Sequence, residues 1–235
     1  PAPEAAVTLT SGYDRETVAH LLATGCETVL PPETVHAVLS AAGFSLPDQC
    51  VVTERTALDE ACRQTGYPLA MKAIGPLHKT DVGGVIPGID DTFAAVAAWQ
   101  KLMHIPGAEG VLLQPMIEGT EVILGASRED GFGHLIMFGL GGIYAEALKD
   151  VSFSLAPVTE QESRQMIQNI QSVELLQGFR RQPGMDLDIL ADNIRRLGQL
   201  VADFPVIEEM DLNPIKGSGA ELFVVDARII VSGGR

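Results

Sequence analysis

The segment GPLHKTDVGG, residues 75–84, places His78 and Lys79 inside a short loop bounded by glycines. It follows the apolar segment LAMK, which ends at Lys72. An imidazole is a nucleophile near neutral pH and can carry a phosphoryl group. Backbone N–H groups in a glycine-rich turn can hold phosphate oxygens. The pattern makes His78 a candidate for phosphoryl chemistry, and a loop histidine that is simply solvated is the more common alternative.

Two segments near the C-terminus could together hold a divalent cation. Asp211 and Asn213 share one face of the strand pattern EEMDLNPI, and Asp226 and Arg228 share one face of LFVVDARIIV. If the two strands pair antiparallel across KGSGAE, Asn213 and Asp226 lie side by side. Carboxylate and amide oxygens are hard ligands that suit Mg²⁺. The pattern predicts a Mg²⁺ site, and a hairpin with a solvated polar face is the alternative.

The segment FGLGGIYAEALKD, residues 138–150, is a candidate anion-binding turn. Gly141 and Gly142 allow backbone N–H groups to approach an anion closely, and Glu146 follows within a few residues. The segment is neither a dinucleotide fingerprint nor a Walker loop. Arg128, like Lys72, follows an apolar strand, so these two cations are the ones expected to point inward. For the glycine segment, the alternative is a turn that only shapes the end of a strand. For Lys72 and Arg128, the alternative is a position on the surface.

The elements that must position these residues alternate between helix and strand, which predicts an α/β fold in two lobes. Residues 1–12 are expected to be a tail or linker, lobe one covers about 30–106 and lobe two about 107–232. The helical patterns cover 14–23, 31–42, 56–66 and 91–104, followed by two helices that begin at the caps Thr159 and Asp186. The strand patterns cover 50–55, 69–74, 83–89, 110–116, 120–129, 135–142, 206–215 and 222–231.

Composition excludes several classes of partner. The net charge of −15 argues against a nucleic-acid backbone or an anionic membrane as a general partner. No apolar run approaches the roughly 18 residues of a membrane span, and the protein is expected to carry no basic-plus-apolar leader. Three cysteines without a CxxC pair favour a reducing, cytoplasmic setting. A chain that starts at Pro1 rather than Met is expected to be processed or excised from a longer fusion.

Taken together, three stretches resemble the ATP-grasp domain of the NDP-forming acyl-CoA synthetases, which is the beta subunit or C-terminal part of ADP-forming acetate–CoA ligase. They are YPLAMKAIGPLHKTDVGGV, GTEVILGASREDGFGHLIMFGLGGIYAEALKDVSFSLAPVT and the pair DLNPI and VVDARIIV. In order and spacing they cover about residues 30–232. The resemblance implies an ATP-grasp domain over 13–232 that holds ATP or ADP and Mg²⁺ between its two lobes.

The resemblance also implies a role for each candidate residue. His78 would accept a phosphoryl group and move it between distant half-sites, with Lys79 and Asp81 supporting its loop. Asn213 and Asp226 would hold Mg²⁺, in agreement with the strand pattern. The remaining implied contacts are Lys72 and Arg128 on the phosphates, Gln114 and Met116 in an adenine hinge at 112–116, and Glu121, Gly141, Gly142 and Glu146 around the nucleotide.

The function that the resemblance implies is that of an acid–CoA ligase (ADP-forming), a cytoplasmic enzyme that interconverts acyl-CoA and acid. The chain would need a CoA-binding alpha subunit or fused domain, on which acyl-CoA, acid and phosphate mostly bind. The alternative is a regulatory ATP-grasp module fused to a protein lysine acetyltransferase domain. Such modules often lose the histidine that is present here. A carboxylate–amine ligase of the wider ATP-grasp group would leave His78 without a role.

Overall fold

The computed structural model describes residues 12–24, 28–75, 83–142, 150–178 and 183–233 of the chain. It confirms the predicted mixture of helices and sheets. The helices are α1 (Arg15–Thr24), α2 (Pro32–Ala41), α3 (Leu58–Thr65), α4 (Thr92–Met103), α5 (Glu160–Asn169), α6 (Val173–Leu176) and α7 (Leu187–Asp203). The strands are β1 (Cys50–Val52), β2 (Leu69–Ile74), β3 (Val85–Ile89), β4 (Gly110–Pro115), β5 (Thr120–Glu129), β6 (Gly133–Leu140), β7 (Val151–Leu155), β8 (Ile207–Ser218), β9 (Glu221–Val224) and β10 (Ala227–Val231).

Both helix caps predicted from the sequence are present. Thr159 and Glu162 form a reciprocal capping box at the start of α5: the Glu162 N–H donates to Thr159 Oγ1, and the Thr159 N–H donates to Glu162 Oε2. The Asp186 carboxylate accepts two backbone N–H groups at the start of α7. These side chains satisfy N–H groups that have no partner within the helix, and so they decide where each helix begins.

The chain divides into two compact units. Residues 47–117 form the small unit, and the described parts of 1–46 and 118–235 form the large unit. These bounds differ from the expected lobes in two places. β4 belongs to the small unit because it pairs antiparallel with both β1 and β2. Residues 30–46 belong to the large unit, where α2 packs its buried Val35, Val38 and Leu39 into the core.

The small unit is a four-stranded antiparallel sheet in the order β1-β4-β2-β3. Alternate residues of β2 and β4 point to opposite faces. Leu69, Met71 and Ala73 of β2, with Val111 and Leu113 of β4, form a core with residues of α3 and α4. The other face carries Lys72 and Gln114 among apolar residues.

The large unit contains a six-stranded antiparallel sheet in the order β10-β8-β5-β6-β7, with β9 paired to β8. We call the face that packs against the helices the core face. It includes Val122 and Leu124 of β5, Ile136 and Phe138 of β6 and Leu212 of β8, each fully buried. We call the opposite face the outer face, and the polar residues of β5, β8 and β10 lie on it.

The predicted C-terminal hairpin is confirmed. β8 pairs antiparallel with β9 and then with β10. Between those two ladders the Asn213 N–H donates to the Asp226 carbonyl oxygen at 3.0 Å. The backbones of Asn213 and Asp226 are therefore direct neighbours on adjacent chain segments, as the period-two pattern required.

Within the described part of the chain, none of the helices has both the length and the apolar character needed to cross a membrane.

A buried carboxylate joins β7 to the turn before α6. Asp150 is 7% exposed, and its two oxygens accept the backbone N–H groups of Gln171 and Ser172, both at 2.7 Å. Burial acts to raise the pKa of Asp150, but the hydrogen bonds from Ser172 and Gln171 outweigh it, so the pKa lies below its usual value.

Asp150→Ala should lower the free energy of unfolding by about 1–3 kcal/mol near neutral pH, because two backbone N–H groups lose their acceptor. A carboxylate whose pKa is depressed in the folded state stabilises fully above its unfolded pKa of about 4, and that contribution is lost as pH falls through the folded pKa. The difference from wild type should therefore shrink below about pH 4.

Urea unfolding at several pH values measures this difference. Asp130→Ala, at an exposed hairpin position, is the control and should change stability by less than about 0.5 kcal/mol. A deficit for Asp150→Ala that does not depend on pH would contradict the carboxylate's role.

Candidate nucleotide and metal site

Two polar side chains of the small unit are buried within its sheet. Lys72 of β2 and Gln114 of β4 are each 5% exposed. Lys72 lies opposite Leu112, and Gln114 lies opposite Ala70, in the β2–β4 register. All four residues are on the face that does not pack against α3 and α4. A buried ammonium group and a buried amide in one sheet face are costly unless hydrogen-bonding or charged partners meet them.

Gln114 carries a buried acceptor that the described residues leave unused. Its Nε2 donates to Gln49 Oε1 at 3.3 Å, while its own Oε1 is buried and, among the described residues, has no hydrogen-bond partner. An unpaired buried acceptor costs about 1–3 kcal/mol. A ligand N–H group, such as the exocyclic amine of adenine, would satisfy it. Two residues on, the Met116 N–H donates to the Pro68 carbonyl oxygen at 3.0 Å, which holds this segment against the start of β2.

In the large unit, the structure brings Glu121 together with both candidate glycines. The Gly141 N–H donates to the Glu121 carbonyl oxygen at 2.8 Å. Gly142 has a φ of +63°, and a Cβ added there would lie 3.0 Å from Glu121 Oε2. A side chain at this position would be strained by the backbone conformation and would press on the carboxylate, so glycine is favoured there.

Lys216 is a further member of this group. It lies opposite Glu121 in the β5–β8 register, and its Nζ donates to Glu121 Oε1 at 2.8 Å. Both side chains are partly buried, so the ion pair orients the Glu121 carboxylate beside the glycine turn. Sequence reasoning missed Lys216, because nothing in the local pattern NPIKGS links it to a residue 95 positions earlier.

The candidate Mg²⁺ ligands lie exposed on the outer face. Asn213 and Asp226 are neighbours there, and Asp211 is on the same face. Burial, together with the negative charges of Glu209 and Asp226, raises the pKa of Asp211, and Arg228 offsets part of that effect. Glu209 and Asp226 are thus close enough to Asp211 to contribute to the shift, after burial.

The donor set fits a divalent cation that is shared with phosphate. Among the described residues, no three Asp, Glu, His or Cys side chains converge as a complete protein-only metal site. Mg²⁺ is normally held by one or two protein oxygens, with water and substrate phosphates filling the other positions. Asn213 and Asp226 could provide those two oxygens, and Asp211 and Glu209 add negative charge nearby.

The structure does not bring Arg128 to these groups. Arg128 is seven residues from Glu121 along β5, roughly 24 Å away, and an odd separation places it on the opposite face. Its Nη1 donates to the Pro205 carbonyl oxygen at 3.0 Å and to Glu208 Oε1 at 2.9 Å. We therefore propose no phosphate contact for Arg128. The sequence pattern predicted the strand that carries Arg128, but it could not tell that Arg128 and Glu121 lie at opposite ends of that strand.

His78 and Glu146 lie outside the described residues, as do Lys79, Asp81 and Lys149. Their expected roles stay predictions.

A family model described as an ATP-grasp domain matches residues 20–231. The chain is 41% identical over 214 residues to the beta subunit of ADP-forming acetate–CoA ligase II from Pyrococcus furiosus. That match covers 83% of this chain and 89% of the subunit.

Other relatives are longer single chains. The ADP-forming 4-hydroxybutyrate–CoA ligase of Nitrosopumilus maritimus is 40% identical over 206 residues, which is 82% of this chain and 29% of that protein. The ADP-forming acetate–CoA ligase I of Archaeoglobus fulgidus is likewise matched over 30% of its length. The chain therefore spans about a third of the length of these relatives.

Among solved structures, the chain is similar to acetyl-coenzyme A synthetase 1 of Ca. Korarchaeum cryptofilum, bound to coenzyme A and Ca-AMPCP. The TM-score is 0.83 at 30% identity, over 93% of this chain and all of that one. In another structure of that protein, with Mg-AMPPCP, a phosphohistidine segment points towards the nucleotide-binding site; the TM-score is 0.77 at 29% identity over the same coverage. The predicted two-lobed ATP-grasp fold is confirmed by these matches.

Gln114→Met should weaken Mg·ATP binding about fivefold, the effect of losing one neutral hydrogen bond of about 1 kcal/mol. The nucleotide-free protein should be as stable as wild type or slightly more stable, because the variant removes an unpaired buried acceptor. Calorimetric titration and thermal unfolding measure the two effects. Gln64→Met on exposed α3 is the control and should change neither. Lost stability with unchanged affinity would make Gln114 a structural residue.

Asp226→Ala should weaken Mg·ATP binding by about 1.5–3 kcal/mol, the range for hydrogen bonds to charged groups, without unfolding the protein. The side chain is exposed and fills no core volume. In the presence of a chelator, which removes the cation, Asp226→Ala and wild type should bind ATP with the same affinity. Glu221→Ala, an exposed carboxylate of the same hairpin, is the matched control. Equal Mg·ATP affinity for Asp226→Ala and wild type would refute the metal assignment.

Proposed function

The chain belongs to the family of ATP-grasp domains, and on this premise we propose that it is the nucleotide-binding part of an ADP-forming acid–CoA ligase. In this role it moves a phosphoryl group between ATP and His78 during the interconversion of acyl-CoA and acid. The observation that carries the proposal is the match to a beta subunit of such a ligase over 89% of that subunit's length.

The described residues divide the binding task between the two units. In the small unit, buried Lys72 meets the phosphates, and Gln114 with Met116 meets adenine. In the large unit, the outer face supplies Asn213 and Asp226 for the cation. Mg²⁺, when bound there, would screen the phosphate charge and orient the phosphate oxygens. Glu121 lies at the glycine turn, where the ion pair with Lys216 fixes its carboxylate.

Phosphoryl transfer to His78 would be a direct displacement. A ring nitrogen of His78 attacks the γ-phosphorus, an N–P bond forms, and the bond to the bridging oxygen breaks. ADP leaves with that electron pair, and the reverse reaction regenerates ATP. The support for this step is the histidine in the GPLHKTDVGG segment, and the phosphohistidine segment named for the similar Ca. Korarchaeum cryptofilum protein.

The rest of the reaction requires another part of the enzyme. The chain spans about a third of its single-chain relatives, and the Pyrococcus furiosus relative is named as one subunit of its ligase. We propose that a CoA-binding alpha subunit or fused domain completes the enzyme and holds acyl-CoA, acid and phosphate. A cytoplasmic location follows from the same proposal and stays a prediction.

The relatives reported above are acid–CoA ligases, so they give no support to a regulatory module of a protein lysine acetyltransferase fusion. They give none to a carboxylate–amine ligase either.

The experiment that tests the proposal is labelling of the chain with γ-phosphate-labelled Mg·ATP. Label should appear on His78, should be lost in acid and kept in base as a phosphoramidate is, and should return to ATP when ADP is added. His78→Ala should bind Mg·ATP normally, because the lysine and the cation ligands are intact, and should incorporate no label.

His20→Ala, at an exposed position of α1, is the control and should be labelled as wild type is. Label on His78→Ala equal to that on wild type would rule out His78 as the carrier. A wild-type chain that binds Mg·ATP and never becomes labelled would instead favour a regulatory module.

A further inference from the structure

One corner of the large unit exposes an unusual amount of apolar surface. We call it the apolar corner and define it as Phe132, Leu135, Met137, Phe153 and Leu155. Phe132 is 75% exposed at the tip of the β5–β6 hairpin, and Phe153 and Leu155 of β7 are 54% and 48% exposed. Three of the seven large exposed hydrophobic residues among those described thus lie in this corner. Apolar surface that is clustered in this way marks an interaction site.

The register of the sheet makes the corner continuous. Leu135 lies opposite Leu155, and Met137 lies opposite Phe153, across the β6–β7 pairing. All four side chains are on the outer face, since the alternate residues Ile136 and Phe138 are buried in the core. Neighbouring cross-strand pairs on one face are in contact, so they present one surface rather than isolated residues.

β7 is an edge strand without the usual protection. Among the described strands it pairs only with β6, and the sheet ends there. Its sequence, VSFSL over Val151–Leu155, contains no charged residue and no proline. Edge strands in isolated proteins are normally guarded by charge, proline or a bulge, because an open edge with apolar side chains invites pairing. The exposed edge of β7 is therefore expected to bind another polypeptide segment in the complete enzyme.

The rim of the corner is acidic. Glu129 and Asp130 precede Phe132 in the hairpin and are exposed. Glu209 lies opposite Ser127, and Ser127 lies opposite Leu135. Two strand spacings, about 10 Å, therefore separate Glu209 from Leu135 of the apolar corner, on the same face. None of these three carboxylates takes part in a salt bridge between described residues.

The nearby cations do not neutralise this rim. Arg128 is paired with Glu208, and Arg228 lies opposite Asp211, at the far side of β8. A second copy of the chain would bring one acidic rim against another, in a protein whose net charge is −15. Charge therefore disfavours a self-paired dimer and favours a partner whose rim is basic.

We propose that the apolar corner is the docking surface for the remaining part of the enzyme, which meets it with an apolar surface rimmed by lysine and arginine side chains. This inference rests on the proposed function, because it assigns a place to the partner that the proposed function requires. The occupant is part of the same enzyme, whether it is a separate subunit or a continuation of one chain.

Docking at the corner would bring the partner beside the candidate cation site. Asp211, Gly125, Met137 and Phe153 form one cross-strand row on the outer face. Three strand spacings separate Asp211 from Phe153, about 14 Å. A partner bound at Phe153 would therefore lie next to Asp211 and the candidate cation site on the outer face.

The double variant Phe132→Ser, Phe153→Ser tests the surface in the complete enzyme. Both side chains are exposed, so the variant removes little core packing. The overall acyl-CoA reaction should fall at least tenfold, while labelling of His78 by Mg·ATP stays as in wild type. In the wild-type complete enzyme, backbone amides of β7 should exchange hydrogen at least tenfold more slowly than in the 235-residue chain alone. The double variant should lose that protection.

Phe93→Ser is the matched control, since Phe93 is 86% exposed on α4 of the small unit, and it should keep both activity and protection. Normal overall activity and normal β7 protection in the double variant would overturn the docking surface. A 235-residue chain that sediments as a dimer, and that the two serine substitutions dissociate, would assign the corner to a second copy. Failure of the proposed function is a separate result, because it shows as absent labelling of His78 in the wild-type chain.

Discussion

The pairing of β5 with β8 is the interaction on which the large unit depends. These two strands lie in the middle of the sheet, and every other strand of that sheet is attached to one of them directly or through a neighbour. Their register places Glu121 opposite Lys216 and Gly125 opposite Asp211. A slip of one residue would turn Val122 and Leu124 out of the core and polar groups into it. Burial of one face under helices therefore enforces the register that also assembles the site.

The alternation of side chains separates stability from chemistry in both units. In the large unit the core face is apolar, while the candidate ligands Asn213 and Asp226 lie on the outer face. In the small unit Lys72 and Gln114 alternate with residues of the core. Polar side chains on one face of a sheet therefore leave the packing of the apolar core on the other face intact. Lys72 and Gln114 are buried even so, and among the described residues the Gln114 Oε1 is left without a hydrogen-bond partner.

Charge gives the outer face two distinct parts. A protein with a net charge of −15 would meet an anionic nucleotide with local cations, and we propose that a divalent ion at Asn213 and Asp226 is one of them. Burial raises the pKa of Asp211, and the negative charges of Glu209 and Asp226 add to that effect, so acidic groups lie around the candidate cation site. Across the same sheet the surface becomes apolar at β7. We propose that cation binding and partner docking are carried by neighbouring regions of one sheet face.

The sequence by itself determined the features that depend on neighbours along the chain. Helix starts at Thr159 and Asp186 follow from side chains that bond to N–H groups two or three residues away. The Asn213–Asp226 juxtaposition follows from a hairpin whose strands are close in sequence. The family was also readable, because its motifs are contiguous segments in a fixed order.

Only the tertiary structure decided which distant residues meet. The Glu121–Lys216 pair, the place of β4 in the small sheet and the unused acceptor of Gln114 all depend on such meetings. The position of Arg128, at the end of β5 away from Glu121, could not be read from its apolar flanks. Helix-capping hydrogen bonds and the alternation of side chains along a strand involve residues that are close in sequence, so a short segment is enough to predict them. Register and burial arise from many weak contacts summed over the whole chain, so no short segment records them.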